Sequence, residues 1–204
     1  MKPLGARFYD RPTERVAREL LGRILECRVG GVTCRGRIVE TEAYLGEDDP
    51  ACHAAAGRTA RTEVMYAAPG TAYVYFVYGI HWCANAVTRR EGLASAVLIR
   101  AVEPLQGIEA MRRRRPAVAR DTDLTSGPGR LCQAMGISGP RHHGRSLITS
   151  ALRILDAAPV ARREIATTPR IGVNVAADWP LRFLLRGNPY VSARTATARF
   201  LRAR

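Results

Sequence analysis

Two glutamates two positions apart, Glu40 and Glu42, stand in "RIVETEAYLG", followed on the same spacing by Tyr44 and then by His53 in "DDPACHAAAGRTARTEVM". The run reads as a strand, in which alternate side chains share a face: Ile38, Glu40, Glu42 and Tyr44 point one way, and Val39, Thr41 and Ala43 the other. Residues two apart on a strand have Cα atoms roughly 7 Å from each other. At that distance, where water is scarce, one charge raises the pKa of the other, which is how a general base is tuned. The simpler reading puts both glutamates on a solvated face, paired with arginines. Val39, Thr41 and Ala43 weigh against it, because they can supply the core face and leave the glutamates to line a groove.

A second group lies in "TAYVYFVY" and "IHWCANAV", β-rich segments that meet at Gly79 and read as a hairpin. Rings alternate onto both faces of the first strand, the pattern of a core strand. Tyr78 differs, since it adjoins the turn glycine and must project outward or fold back on its own hairpin. On the returning strand His81, Cys83, Asn85 and Val87 share a face. Asn85 can read or reject a base edge, or satisfy backbone groups. Cys52, His53, His81 and Cys83 lack the C-x-x-C or H-x-E spacing of zinc sites, so no metal is expected.

Those side chains belong to a chain of 204 residues, 47% of them hydrophobic, enough for one domain with a sizeable core. Lys and Arg exceed Asp and Glu by 32 to 18, a net charge of +14 that fits a polyanionic partner, nucleic acid before a membrane surface. On such a protein, acids beside an aromatic would repel DNA unless they had a task. With no secretory signal, no apolar run suited to a membrane and 5 cysteines without a framework spacing, the expected location is the cytoplasm, at the nucleoid through DNA. Lys2 is the only lysine, so arginine count alone marks no binding site, and a Schiff-base mechanism has almost no amine to use.

The elements that must position these groups follow from local signals. Asp10 reads as the N-cap of an amphipathic helix that stops at Gly22. "RILECRVG" and "VTCRGRIVETEAYLG" form a hairpin through Gly30-Gly31, and residues 46 to 70 read as a long loop with at most a short helix over 61 to 66. "SAVLIRAVEPL" is a strand, "GIEAMRRRR" a helix ending before Pro116, and "LTSGPGRLCQAMGI" a turn and helix start. "ALRILDAA", "IGVNVAA" and "LRFLLRGNPYVSA" supply the late strands. The fold class is α+β, one mixed domain over residues 1 to 204.

In this order, "RIVETEAYLG", His53 with "GRTARTEVM", "PGTAYVYFVYGIHWCANAV", "VLIRAVEPLQGIEAMRRRR", "LTSGPGRLCQAMGI" and "IGVNVAADWPLRFLLRGNPYVS" resemble the alkyladenine (3-methyladenine, methylpurine) DNA glycosylase family. The resemblance runs from about Phe8 to Ser192. It implies a curved antiparallel sheet with flanking helices and a protruding β-hairpin that inserts into DNA. By position, Glu42 matches the base that activates water, and Glu40 a structural partner. Tyr44, His53 and Tyr75 match the aromatic pocket around the flipped base, with the His53 amide donating to the purine. Tyr78 matches the intercalating residue. Asn85 matches the side chain that crowds guanine's amino group, and Arg100 a pocket-wall arginine supporting water and backbone phosphate.

The reaction implied is hydrolysis of alkylated or deaminated purines from double-stranded DNA by a monomer, without cofactor and without strand cleavage. It agrees with the residues: an oxocarbenium-like sugar is stabilised by a nearby carboxylate that also orients water. Phosphate contacts are expected from Arg112 and Arg113 in the "RRRR" run, whose alternative is a solvated helix face, and from Ser126, Gly127 and Arg130 at a helix start. A non-catalytic nucleic-acid-binding domain of the same fold is the competing class, and a glycosidase of free nucleosides a third.

Overall fold

The computed structural model describes residues 1 to 192. Short α1 (Ala6–Tyr9) leads into α2 (Thr13–Leu20), whose Val16, Ala17 and Leu20 are buried. Pro12, not Asp10, precedes the first turn of α2; Asp10 instead ends α1. The proline's fixed φ starts a helix without a side-chain cap, which is why the residue with capping chemistry is displaced.

Next come β1 (Ile24–Val29) and β2 (Val32–Tyr44), antiparallel and closed by Gly30 and Gly31, both at positive φ as a two-residue hairpin turn demands. The loop after β2 carries two short 3₁₀ turns, His53–Ala56 and Glu63–Tyr66. β3 (Ala72–Val77) and β4 (His81–Val87) then pair with Val77 opposite His81, so Tyr78, Gly79 and Ile80 form the connection. β5 (Ala96–Gln106), α3 (Ile108–Arg114), α4 (Pro128–Met135), α5 (Gly139–His142) and β6 (Leu152–Leu155) follow.

The last strands are β7 (Ile165–Thr168) and β8 (Arg182–Leu185). Residues 171 to 177, expected as a strand, are bends and turns with Gly172 and Ala176 at positive φ, and β7 precedes them instead. Among the described residues the result is a mixed α+β fold on one eight-stranded antiparallel sheet, ordered β3-β4-β5-β2-β1-β6, with β8 pairing to β2 and β7 to β8.

Helices cover the sheet closely. Thr41 Oγ1 donates to the Ala17 carbonyl at 2.9 Å, locking α2 onto β2. A Cβ at Gly129 or Gly139 would strike the His81 or Trp82 ring, so these glycines let α4 and α5 approach β4. The outer edge of β3 is covered by the turn after α5: the Ala72 amide donates to the Arg145 carbonyl, the Gly144 amide to the Ala72 carbonyl, and the Val74 amide to His143 Nδ1. The principal core holds Ile38 and Val39 together with Val97, Ile99, Leu131 and Phe183.

Candidate active site

The β2 and β5 register shifts at three places, and two adjacent shifts build the site. Ile38 pairs with Val102 and Glu40 with Ala101, leaving Val39 as an extra residue; Glu40 with Ala101 and Thr41 with Ile99 then leave Arg100 extra on β5. Such bulges re-aim side chains. Ile38 and Val39 therefore both enter the core, contrary to the expectation that Ile38 shares the glutamate face. Arg100 reaches both acids, with Nε 3.1 Å from Glu40 Oε1 and Nη1 3.1 Å from Glu42 Oε2.

Neither acid lies on a solvated face; both are fully buried. Glu40 Oε1 also accepts from Arg182 Nε at 2.6 Å and from Ser192 Oγ at 2.9 Å, while Oε2 accepts from the Ser192 amide at 2.7 Å. It is fully engaged with protein donors. Glu42 has lighter ties: the Tyr44 hydroxyl donates to Oε2 at 3.0 Å and the Ile171 amide to Oε1 at 2.8 Å. Burial opposes the Arg100 charge, but the Glu42 and Glu40 carboxylates overcome that and hold the guanidinium above its ordinary pKa.

Beside Glu42 a cavity of about 160 Å³ is lined by Tyr44, His53, Tyr73, Tyr75, Tyr78, Asn85, Gly172 and Val173, among others. Glu42 and Arg100 do not line it; Glu42 meets its inner edge through Tyr44 and the backbone just before Gly172. His53 and Tyr75 pack edge to face with centroids 4.5 Å apart, and Tyr73 lies 5.3 Å from Tyr75. Arg61 Nη2 donates to His53 Nε2 at 3.3 Å, which places the ring proton on Nδ1, 2.9 Å from the Tyr73 hydroxyl. Burial, then the Arg61 charge, holds His53 below its ordinary pKa and so neutral. Burial, then the Glu42 charge, pushes the Tyr44 phenol up, so its hydroxyl stays a donor. The His53 amide has no acceptor among the described residues.

Asn85 Nδ2 donates to the Tyr73 carbonyl at 2.9 Å, which fixes the amide and turns its oxygen away from that bond. Tyr78 is 83% exposed at φ 54°, so it projects and does not fold back. Ile80 is exposed beside it, and Phe76, read as a core ring, is exposed too and packs on Trp82.

The helix-start candidates lie in a separate groove. Ser126 and Arg130 line it with Arg120, Asp123 and Ser192, and Ser126 bridges to Ala101, the neighbour of Arg100. Gly127 precedes α4 at φ 135°. Arg112 is bound to Glu109 and Asp121, whereas Arg113 has no polar partner among the described residues. Arg114 and Arg115 bind backbone carbonyls, so the "RRRR" run is in large part structural.

The sequence reading missed Arg182, Arg170 and the Ile171 amide. A lone arginine inside apolar "LRFLL" was the available signal, and that residue is among the largest fully buried side chains. Among the described residues no group of three or more His, Cys, Asp or Glu is placed to hold a metal ion, and no helix is long and apolar enough to cross a membrane.

With the geometry established, likeness to known proteins sharpens its meaning. The family model for methylpurine-DNA glycosylase matches residues 7–189. A protein of Chlorobaculum parvum is 47% identical over 193 residues, covering 94% of this chain and 91% of its own. One from Myxococcus xanthus is 47% identical over 195 residues, 94% of each chain, and one from Methanocella arvoryzae 45% over 197 residues, 95% of this chain and 98% of its own. Each bears the name "Putative 3-methyladenine DNA glycosylase". Fold and cleft thus sit within the class of DNA glycosylases, enzymes of DNA repair. More narrowly, the chain belongs to the methylpurine-DNA glycosylase family.

Proposed function

We propose that the protein flips alkylated or deaminated purines, of the 3-methyladenine, hypoxanthine and ethenoadenine kind, out of duplex DNA and hydrolyses the N-glycosidic bond with water activated by Glu42. The observation that carries this reading is the contrast between the two acids. Arg100 reaches both, but Glu40 is bound in addition by Arg182 and Ser192, while Glu42 is tied in addition to the cleft ring Tyr44 and to the backbone beside Gly172.

In the proposed reaction the base enters the cavity against Tyr44 on one side and the His53 and Tyr75 pair on the other. The unbonded His53 amide is available to the purine's six-position substituent. Asn85, fixed by its bond to the Tyr73 carbonyl, crowds an amino group at the two position and so disfavours guanine. Tyr78 fills the stack vacated by the extruded nucleotide, and Ser126, Arg130 and Arg113 hold phosphates, the first two near the helix start.

Glu42 takes a proton from water as the oxygen bonds to C1′; the C1′ to N9 bond breaks and its electron pair leaves with the purine. A methylated ring already bears positive charge, so it departs as a neutral base; a neutral lesion such as hypoxanthine departs as the purinyl anion, which takes its proton from water. Lys2, the only lysine, is not among the residues lining the cavity, which supports hydrolysis without strand cleavage.

The test is base release from duplexes bearing one 1,N6-ethenoadenine, hypoxanthine or 3-methyladenine, with wild type and Glu42→Gln side by side and strands scored with and without alkali. Release by wild type alone, with breakage only after alkali, is the expected result. Loss of a general base lowers such rates about 10²–10⁴-fold. Equal turnover by Glu42→Gln, or tight binding by wild type with no release from any lesion, would refute the reading, the latter in favour of a pure binding domain.

A further inference from the structure

Behind the cleft lies an ion pair that touches no solvent: Arg170 Nη1 is 2.6 Å from Asp49 Oδ2 and Nη2 is 2.8 Å from Oδ1, and neither side chain has exposed surface. Two fully buried charges are a poor means of gaining stability, because desolvation of both offsets much of their attraction. Arg170 Nε is also buried without an acceptor among the described residues, a further cost. Geometry gives a better account of the pair.

Each partner is tied to a different wall of the cavity. Asp49 accepts from the Leu45 and Ala51 amides, both at 3.1 Å, and so shapes the loop that delivers Cys52 and His53. Arg170 donates to the Ala43 carbonyl at 3.2 Å, and its guanidinium lies 4.8 Å from the centre of the Tyr44 ring. The next residue, Ile171, gives its amide to Glu42, and Gly172 and Val173 continue as cavity lining. One guanidinium plane therefore meets the acid's own strand, the ring beside it and the loop opposite. Lysine cannot replace it, since only a planar fork both grips a carboxylate bidentately and stacks on an aromatic.

We infer that the Asp49 and Arg170 pair is a positioning device for base release: it holds the Glu42 carboxylate, the Tyr44 ring and the His53 loop in register without touching the purine. This rests on the glycosylase reading above. Displacement of reacting groups by about 1 Å costs on the order of a hundredfold in rate, so the pair acts on chemistry more than on affinity.

The experiment compares wild type, Glu42→Gln, Arg170→Lys and the double variant Asp49→Leu/Arg170→Met, which leaves no buried charge unpaired. Single-turnover ethenoadenine release at saturating enzyme, lesion and undamaged duplex affinities, and thermal melting are measured on each. The expected result is release slowed about a hundredfold in the double variant with both affinities close to wild type, melting lowered only as far as the Leu45 and Ala51 amides that lose Asp49 require, and an intermediate loss of release in Arg170→Lys. Release at the wild-type rate in either variant would overturn the inference. So would a parallel fall in melting, both affinities and release in both variants, which would make the pair a folding element only. If wild type releases nothing, the reading of the site falls and the inference with it; if wild type releases base and Glu42→Gln does not, that reading stands whatever the pair does.

Discussion

Tyr44 donates its hydroxyl to Glu42 Oε2 at 3.0 Å, so a ring walling the cleft and the acid at its inner edge form one bonded unit. Tyr44→Phe keeps the wall and removes the bond. A hydrogen bond to a charged group contributes about 1.5–3 kcal/mol, so single-turnover release should fall about 10- to 100-fold while lesion affinity stays near wild type. A comparable loss of affinity would mean that the hydroxyl acts in binding.

The two acids should separate in a denaturation experiment. Glu40→Gln removes the one carboxylate that the buried Arg100 and Arg182 share, together with its bonds from Ser192, a change that costs about 3–5 kcal/mol. Glu42→Gln is expected to cost less, because Arg100 still has Glu40. Urea unfolding of both variants measures the difference, and a larger loss for Glu42→Gln would reverse the assignment of structural and chemical roles.

Tyr78 holds φ 54°, a left-handed conformation that costs a non-glycine residue about 1–2 kcal/mol. Tyr78→Gly should therefore melt no lower than wild type. It also loses a stacking ring, which contributes about 1–3 kcal/mol per base, so lesion affinity should drop roughly tenfold or more, with little change on undamaged duplex. An equal drop on both duplexes would remove the wedge role.

His53 is held below its ordinary value of 6.5 by burial and then by Arg61. Because the folded state binds this proton less readily than the unfolded chain, the unfolded state holds more protons as pH drops below about 6.5, and stability declines there. His142, lowered first by burial, adds to the same slope. Arg61→Gln removes a charge and the donor to Nε2, so the His53 midpoint, read by NMR titration, should move up toward 6.5. An unchanged midpoint would mean that burial alone sets it.

Much of this was legible in the sequence because local rules decide it. Gly30-Gly31 and Gly79 announce the two hairpins, and Pro116 marks the end of α3. The bulges at Val39 and Arg100 were not legible, since an extra residue in one strand shows only against its partner's register. For the same reason Arg170 went unremarked: its acid lies 121 positions away. Residues 171 to 177 have strand composition, yet their backbone is drawn to Glu42 and follows the cavity instead of a ladder. Of the suggested phosphate contacts, Arg112 illustrates the limit of counting charge, because Asp121 and Glu109 already neutralise it.

β3 ends the strand order and supplies Tyr73 and Tyr75 to the cavity, so the active face borders a sheet margin. A bare margin is a template on which another chain can add a strand, the first step toward aggregation. The Gly144 and Arg145 backbone and the His143 ring occupy the ladder positions of Ala72 and Val74 that such a strand would use. The turn after α5 thus acts as a selvedge: it finishes the fabric where the protein must stay open to a large partner, and it blocks strand addition along that margin without walling off the cleft.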